Sequence, residues 1–170
     1  MNDYYSMSKE LEQLFVSQLK ENQNIVHKIC RLYTSHADAH KDLFQEITIQ
    51  LWKAFPKFLG ESKFSTWAYR VALNTAITLY RKSTRSIQTT SSEKLNFFIS
   101  QEEYNTEEEE QLKLMYKAVY KLNDIEKALV FMYLEDKDYT EIATTLGISE
   151  VNARVKMNRI KGKLKKILNP

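Results

Sequence analysis

The 170-residue chain has little glycine (3 residues), proline (2) and cysteine (1). The scarcity of glycine and proline disfavours a sheet-rich fold, whose many tight turns need those residue types. The single cysteine, Cys30, excludes an internal disulfide and a cysteine zinc cluster. No apolar run approaches the ~20 residues of a membrane-spanning helix, and the start, MNDYYSMSKELEQ, does not read as a signal peptide. We therefore expect a cytoplasmic protein without direct membrane insertion.

Hydrophobic residues make up 43% of the chain, which is enough for a packed core. They recur mostly at spacings of three and four residues, as in amphipathic helices. The net charge is +3 over residues 1–82, −5 over 83–110 and +5 over 111–170. These patterns predict an all-α fold of two small helical domains joined by a flexible acidic linker.

In the first module the apolar periodicity predicts helices over 7–19, 22–34, 38–55 and 64–82. In the third of these, Leu43, Ile47 and Leu51 recur every four residues and form an apolar stripe. Pro56 and Gly60 then break the helix. From about residue 83 to residue 110 the sequence is polar and acidic, which is typical of a linker.

The second module carries the signals of successive capped helices. Asn123 is followed three residues later by Glu126, and Asp138 repeats this arrangement with Glu141, so each pair predicts a helix start. Gly147 is suited to the left-handed conformation that ends a helix, and the serine two residues on is suited to cap the next. A short helix, a glycine turn and a longer helix form the geometry of a DNA-binding helix-turn-helix.

The last helix has two different faces. At about 100° per residue, its predicted buried stripe consists of Ala153, Met157, Ile160, Leu164 and Leu168. The opposite face is basic but also carries Val151 and Val155, which is unusual for a helix that faces only water. Exposed valines beside arginine and asparagine suit a DNA major groove, where thymine methyl groups offer apolar contact. The alternative is a solvated basic helix that closes an ordinary bundle.

Three segments of the sequence resemble a known family. The segments DAHKDLFQEITIQLW and FPKFLGESKFSTWAYRVALNTAITLYRK are similar to the core-binding and promoter-melting regions of an extracytoplasmic-function (ECF) sigma factor. The segment LNDIEKALVFMYLEDKDYTEIATTLGISEVNARVKMNRIKGKL resembles that family's −35-reading domain. The resemblance implies sigma region 2 over 1–83, a linker over 84–110 and sigma region 4 over 111–170.

The resemblance also implies the function. A chain of this family has no catalytic residues, binds the β and β′ subunits of core RNA polymerase, and directs promoter-specific initiation. It does so by recognising the −10 and −35 elements of promoter DNA and by melting the duplex. Many members are held inactive by an anti-sigma factor, which makes such a protein a further candidate partner. No cofactor and no metal are expected.

In the first module the match assigns two sets of residues. Asp42, Gln45 and Glu46 would face the clamp helices of the largest polymerase subunit, a spacing that fits one helix face; the alternative is a solvated acidic face. Single-stranded DNA around the −10 element would be bound by stacking and by charge. The residues of this second set are Phe58, Lys63, Phe64, Arg70, Asn74, Arg81 and Lys82. For Phe64 core packing is the favoured alternative, and for Arg70 the alternative is an ion pair that supports the fold.

In the second module the recognition helix supplies the −35 residues. They are Ser149, Val151, Asn152, Arg154, Val155, Lys156, Asn158, Arg159 and Lys161. Two features depart from the family pattern: the segment LNDIEK lacks the usual proline, which Asn123 replaces as a cap, and Val151 and Asn152 replace the commoner Gly-Thr pair. The promoter sequence therefore cannot be transferred from other members.

Other readings are weaker. His36, Asp38 and His40 are spaced for a metal, but no further ligand cluster accompanies them, so we expect surface positions. We expect Cys30 to be a buried thiol, with His27 exposed or capping. Two rival functions remain: a dimeric helix-turn-helix regulator with a ligand-sensing domain, and a polymerase-binding protein that reads no promoter.

Overall fold

The computed structural model describes residues 2–58, 60–87 and 107–169, and in these ranges the chain is helical with no strand. The predicted all-α fold class is confirmed. The chain divides into two compact units, Met1–Leu79 and Tyr80–Pro170. The linker predicted over 84–110 falls mostly on residues 88–106, outside the described ranges, and its two ends are helical. None of the described helices combines the length and apolar character needed to cross a membrane.

The first helix, α1, runs without interruption from Asn2 to Tyr33. The prediction of two separate helices over 7–19 and 22–34 is therefore wrong. The polar segment between them contains neither proline nor glycine, so nothing breaks the backbone ladder. The Asn22 side chain donates to the Gln18 carbonyl (2.8 Å), a bond within the helix. Cys30 is buried as predicted, and burial raises the pKa of its thiol to about 12.

Helix α2 (Ala37–Ala54) packs against α1 and supplies the predicted stripe of Leu43, Ile47 and Leu51, all buried. It begins after His36, whose ring nitrogen accepts the Ala39 N–H (3.2 Å) and caps the helix. A short 3-10 turn at Phe55–Lys57 follows, and α3 then runs over Phe64–Ile87. Gly60, between the turn and α3, has φ +72°. Helix α3 ends five residues later than predicted.

A histidine pair joins α1 to α2. His27 Nδ1 and His40 Nε2 share a hydrogen bond of 3.1 Å, and the ring of His27 stacks on Phe44 with centroids 4.5 Å apart. Both residues are half-buried. The expectations that His27 is exposed or capping and that His40 lies at the surface are therefore wrong, because the two rings cover each other. Among residues 2–58, 60–87 and 107–169 there is no cluster of three or more potential metal ligands.

The second unit contains α4 (Glu107–Tyr120), α5 (Asp124–Leu134), α6 (Tyr139–Leu146) and α7 (Glu150–Leu168). The predicted capping of α5 is confirmed, with reciprocal bonds between Asn123 and Glu126 of 2.9 and 3.2 Å. Asp138 likewise accepts the Glu141 N–H (2.7 Å) at the start of α6. Each helix start thus satisfies backbone donors that would otherwise be unpaired.

The turn between α6 and α7 has the predicted form. Gly147 adopts the left-handed conformation (φ 66°, ψ 35°), and its N–H bonds the Ala143 carbonyl. The next N–H, of Ile148, bonds the same carbonyl (3.0 Å). Ser149 then caps α7 by accepting the Asn152 N–H (3.2 Å). The glycine thus allows the chain to reverse within three residues.

Helix α7 packs on α4, α5 and α6 through one stripe. Ala153, Met157 and Ile160 are buried as predicted, and Leu164 is half-buried. Each fully buried side chain the size of methionine or isoleucine contributes roughly 1.5–3 kcal/mol relative to exposure. Leu168 was predicted to be buried, but it is 44% exposed because it is the last residue of the helix.

Lys127 of α5 is the unexpected member of this core. Its side chain is fully buried, and its Nζ lies 4.0 Å from the ring centroid of Tyr120 and 4.7 Å from that of Tyr80, at the start of the second unit. Burial lowers the pKa of this ammonium to about 8, against the opposing effect of Asp124. The aromatic faces partly replace the water that the cation loses.

We predict opposite effects for two glycine-to-alanine substitutions in the second unit. Gly147→Ala places a Cβ in the left-handed region and should lower the stability of the unit by about 1–2 kcal/mol. Gly162→Ala, in the interior of α7 and with no atom within 4 Å of the new Cβ, should raise it by roughly 0.5–1 kcal/mol. Hydrogen exchange of α6 and α7 amides measures both changes. Destabilisation by Gly162→Ala would show that α7 does not accept a methyl group at this position.

We also predict that the first unit loses stability as the pH falls from about 7.5 to 5.5. Burial lowers the pKa of His27 and of His40, and the charge of Arg31 lowers both further. The unfolded chain, with ordinary histidine pKa values near 6.5, then binds protons more readily than the folded chain. The contribution of the neutral histidine pair to the stability of the unit is therefore fully present above that value and is lost as the pH falls below it.

The measurement is hydrogen exchange of α1 and α2 amides across this pH range. The double variant His27→Gln/His40→Gln keeps polar groups at both positions but does not titrate. It should show a flatter dependence than the wild type. An equally steep loss in both proteins would assign the effect to other groups.

Candidate nucleic-acid interface

The face of α7 opposite its buried stripe is open to solvent. Val151 is 72% exposed and Val155 42% exposed, as predicted. Asn152, Asn158 and Arg159 are exposed on the same helix. Because Ala153, Met157 and Ile160 fix the opposite side, the polar, basic and apolar groups of this face point outward together.

At its N-terminal end this face includes the start of α7. Ser149 is exposed, but its hydroxyl already accepts the Asn152 N–H, so its first role is to cap the helix. A helix N-terminus carries partial positive charge from its unpaired N–H groups and attracts anions such as phosphate. Capping and phosphate contact are compatible at this position.

Arg154 is held by a small network from α6 and α7. Its Nη2 and Nε donate to Glu150 Oε1 at 2.6 and 3.2 Å, and its Cζ lies 4.5 Å from the Tyr139 ring centroid. Thr140 donates to the other carboxylate oxygen of Glu150 (3.2 Å). The hydrogen bond from Arg154, followed by that from Thr140, lowers the pKa of Glu150. The carboxylate therefore stays ionised at neutral pH.

Two further lysines on α7 contact α5. Lys161 Nζ donates to the Tyr133 hydroxyl (3.2 Å) and lies 4.6 Å from the centroid of that ring. Lys163 forms an ion pair with Glu126. Lys156 is half-buried, whereas the last lysines of the helix, Lys165 and Lys166, are exposed. Lys161 and Lys163 are thus restrained by contacts with α5, whereas the lysines at the end of α7 are solvated.

In the first unit, α2 presents the predicted acidic face. Asp42 and Gln45 are exposed, and Glu46 is half-buried with one carboxylate oxygen accepting from Gln50 (2.7 Å). Along the same side of the helix follow Ile49, 45% exposed, and Trp52, 38% exposed. The ring of Trp52 also contacts Phe15, with ring centroids 5.1 Å apart. One edge of this face is therefore acidic and the other apolar.

Aromatic rings surround the segment before α3. Phe55, Phe58, Phe64 and Trp67 form one cluster with centroids 5.0–6.2 Å apart. Phe64 is buried, which matches the alternative of core packing, whereas Phe58 is half-buried. Of the two phenylalanines, only Phe58 has ring surface near solvent.

Basic and polar residues follow along α3. Lys63, Arg70, Asn74 and Lys82 are all exposed. At about 100° per residue, Arg70, Asn74 and Arg81 fall within a narrow stripe of the helix. Arg81 differs from the others because it forms an ion pair with Asp124 inside the second unit.

Some residues of the interface were not predicted from the sequence. Tyr139 and Glu150 contact Arg154, Thr140 contacts Glu150, and Tyr133 contacts Lys161. The four-residue spacing of Glu150 and Arg154 was a usable signal, since such pairs meet on one helix face. The contacts from α5 and α6 depend on tertiary packing and leave no local signal.

Two family models match the chain in separate parts. The model described as Sigma-70 region 2 matches residues 19–86, and the model described as Sigma-70, region 4 matches residues 112–164. The first match includes α2 and nearly all of α3, and the second includes α6 and α7 as far as Leu164. The two matches keep the order expected from the sequence.

Curated relatives align over most of the chain. The RNA polymerase sigma factor SigZ of Bacillus subtilis is 27% identical over 146 residues, covering 84% of this chain and 82% of the relative. The ECF RNA polymerase sigma-E factor of Haemophilus influenzae is 26% identical over 159 residues, covering 87% and 84%. The likeness therefore extends across both units.

Two solved structures share the fold. The sigma factor RpoE of Bartonella quintana, solved in complex with the anti-sigma factor NepR, superposes with a TM-score of 0.70, covering 94% of this chain and 97% of that one. CnrH, solved in complex with the cytosolic domain of CnrY, gives a TM-score of 0.66, with 93% and 89% covered. Both are 18% identical to this chain, so they establish its fold alone.

Proposed function

The chain belongs to the sigma-70 family, as an extracytoplasmic-function (ECF) sigma factor, and we propose that it recognises both elements of a promoter and melts the duplex. Membership implies RNA polymerase binding and promoter-specific initiation. We assign core binding, −10 recognition and melting to region 2 (1–83) and −35 recognition to region 4 (111–170), with a linker over 84–110.

The observation that carries the −35 assignment is the outward face of α7. Arg154 and Asn152 offer hydrogen-bond donors for base edges, while the exposed Val151 offers methyl groups for thymine. The exposed Lys165 and Lys166 lie farther along the helix, where they suit contact with phosphates. The first turns of α7 would therefore read bases, and its later turns would hold the helix on the backbone.

The −10 assignment is supported by the exposed side of α3 and the segment before it. Single-stranded DNA is bound by cationic side chains along the backbone and by aromatic rings that stack on bases. Lys63, Arg70 and Lys82 provide charge, Asn74 a polar group, and Phe58 the remaining accessible ring. Phe64 would support this surface from the core.

The core-polymerase assignment is supported by the composition of the α2 face. Asp42 and Glu46 give it an acidic edge, to which Gln45 adds a neutral amide, and the exposed Ile49 and Trp52 give it an apolar edge. Aromatic residues are enriched in protein–protein interfaces, and charged groups suit their rim. We propose that the clamp helices of the β′ subunit occupy this face.

A protein inhibitor is a further proposed partner. RpoE and CnrH were solved with NepR and with the cytosolic domain of CnrY, respectively. We propose that an anti-sigma factor of this chain covers the same faces that bind polymerase and DNA. Its binding would then compete with holoenzyme formation.

Run-off transcription tests the function as a whole. Core RNA polymerase from the source bacterium is supplied with a library of its genomic fragments, with and without this protein. Protein-dependent transcripts from discrete sites are expected. Core binding without transcripts would favour the polymerase-binding protein that reads no promoter. Tight operator binding by the protein alone, without polymerase binding, would favour the free-standing regulator.

We predict that the triple variant Asp42→Ala/Gln45→Ala/Glu46→Ala weakens core binding about tenfold or more, because its acidic contacts are removed. The matched control is Glu21→Ala, which removes an exposed carboxylate from α1. Fluorescence anisotropy of the labelled protein with core polymerase measures both affinities. An equal loss in the control would indicate that overall charge, and not this face, drives binding.

We predict that Arg154→Ala abolishes −35-dependent initiation while core affinity stays within twofold of the wild type. The reason is that Arg154 lies in the second unit, whereas the proposed clamp-binding face lies in the first. Transcription from an identified promoter and core-binding titration are measured on the same preparation. If core affinity fell as far as transcription, this division of labour would be wrong.

A further inference from the structure

We propose that Glu150 is a positioning residue that orients Arg154 to recognise one guanine in the −35 element. This inference rests on the proposed function, since it names a base that the α7 face reads. It also assigns a role to a residue that carries charge of the wrong sign for DNA binding. A carboxylate in the first turn of a DNA-reading helix repels phosphate. Its presence there therefore calls for a compensating function.

The contact between the two side chains uses one edge of the guanidinium. A guanidinium has two edges that can each donate two parallel hydrogen bonds. Nε and Nη2 form the edge that meets Glu150 Oε1, at 3.2 and 2.6 Å. The other edge consists of Nη1 and the second hydrogen of Nη2. Within the described residues no acceptor meets Nη1, and the side chain of Arg154 is 58% exposed.

The pair is fixed from α6 as well. The Tyr139 ring lies against the guanidinium, with Cζ 4.5 Å from its centroid. Thr140 donates to the Glu150 oxygen that Arg154 does not use (3.2 Å). Two neighbouring residues of α6 thus each contact one residue of α7: Tyr139 contacts Arg154, and Thr140 contacts Glu150. An arginine restrained in this way loses less conformational entropy when it binds.

The open edge matches guanine better than other bases. In the major groove guanine presents two acceptors, O6 and N7, to a donor pair. Adenine presents one acceptor and one donor, so one N–H of the arginine would face another N–H. A lysine at this position would act as a point charge and lacks the planar pair of donors. Fixing the guanidinium plane therefore selects guanine.

A purely structural role for Glu150 would lead to different results. An acidic residue in the first turn of α7 stabilises the helix through its dipole, whatever its partner. Losing that effect would weaken DNA binding at all positions alike. Losing a positioning role changes the base preference at one position. The experiment must therefore measure preference and not affinity alone.

The test is selection by the holoenzyme. Core polymerase with the full chain is incubated with a promoter identified by run-off transcription, in which the −35 element has been randomised, and bound DNA is sequenced. The variants are Glu150→Ala, Glu150→Gln, Arg154→Ala and Arg154→Lys. The matched control is Glu141→Ala, which removes a first-turn carboxylate from α6 in the same unit.

The wild type should enrich guanine at one position. Both Arg154 variants should lose that enrichment, and Glu150→Ala should reduce it roughly tenfold while leaving other positions unchanged. Glu150→Gln, which can still accept from Arg154, should keep an intermediate preference. Glu141→Ala should keep the wild-type pattern.

Three results overturn the inference alone, and the first two are guanine enrichment unaffected by Glu150→Ala and an equal loss at all positions. A selected −35 sequence without an Arg154-dependent guanine does the same. Selection of no −35 sequence by the wild type overturns the proposed function as well.

Discussion

The rotation of α7 about its own axis is the constraint on which the second unit depends. Ala153, Met157 and Ile160 are all buried, and their spacing leaves one orientation in which they avoid water together. A rotation of the helix by one residue, about 100°, would turn all three away from the core and turn charged neighbours such as Arg154 toward it. The packing of the core thus determines which residues of α7 are exposed to a partner.

The helix-turn-helix extends this constraint from one helix to two. Gly147 reverses the chain tightly enough for α6 to reach the side of α7, which brings Tyr139 and Thr140 to Arg154 and Glu150. The surface is therefore not a set of independent long side chains. Arg154 is held by contacts from two helices, while the terminal lysines keep their solvation and conformational freedom.

Local signals in the sequence predicted local structure. The caps at Asn123 and Asp138 and the turn at Gly147 each depend on residues within four positions, so the local sequence alone located them. The continuity of α1 was missed because a polar segment without proline or glycine does not force a break. The exposed face of α7 followed from periodicity. The Tyr139 ring contact from α6 did not follow from it, and neither did the His27–His40 pair, because those contacts form only when distant segments pack.

The aromatic cluster beside α3 has a spectroscopic consequence. The chain contains two tryptophans, Trp52 and Trp67, and both belong to the first unit, each packed against phenylalanine rings. Tryptophan emission therefore reports on that unit, while the second contributes through tyrosines alone. The natural chain can thus act as its own domain-selective optical probe, without a label or an engineered reporter.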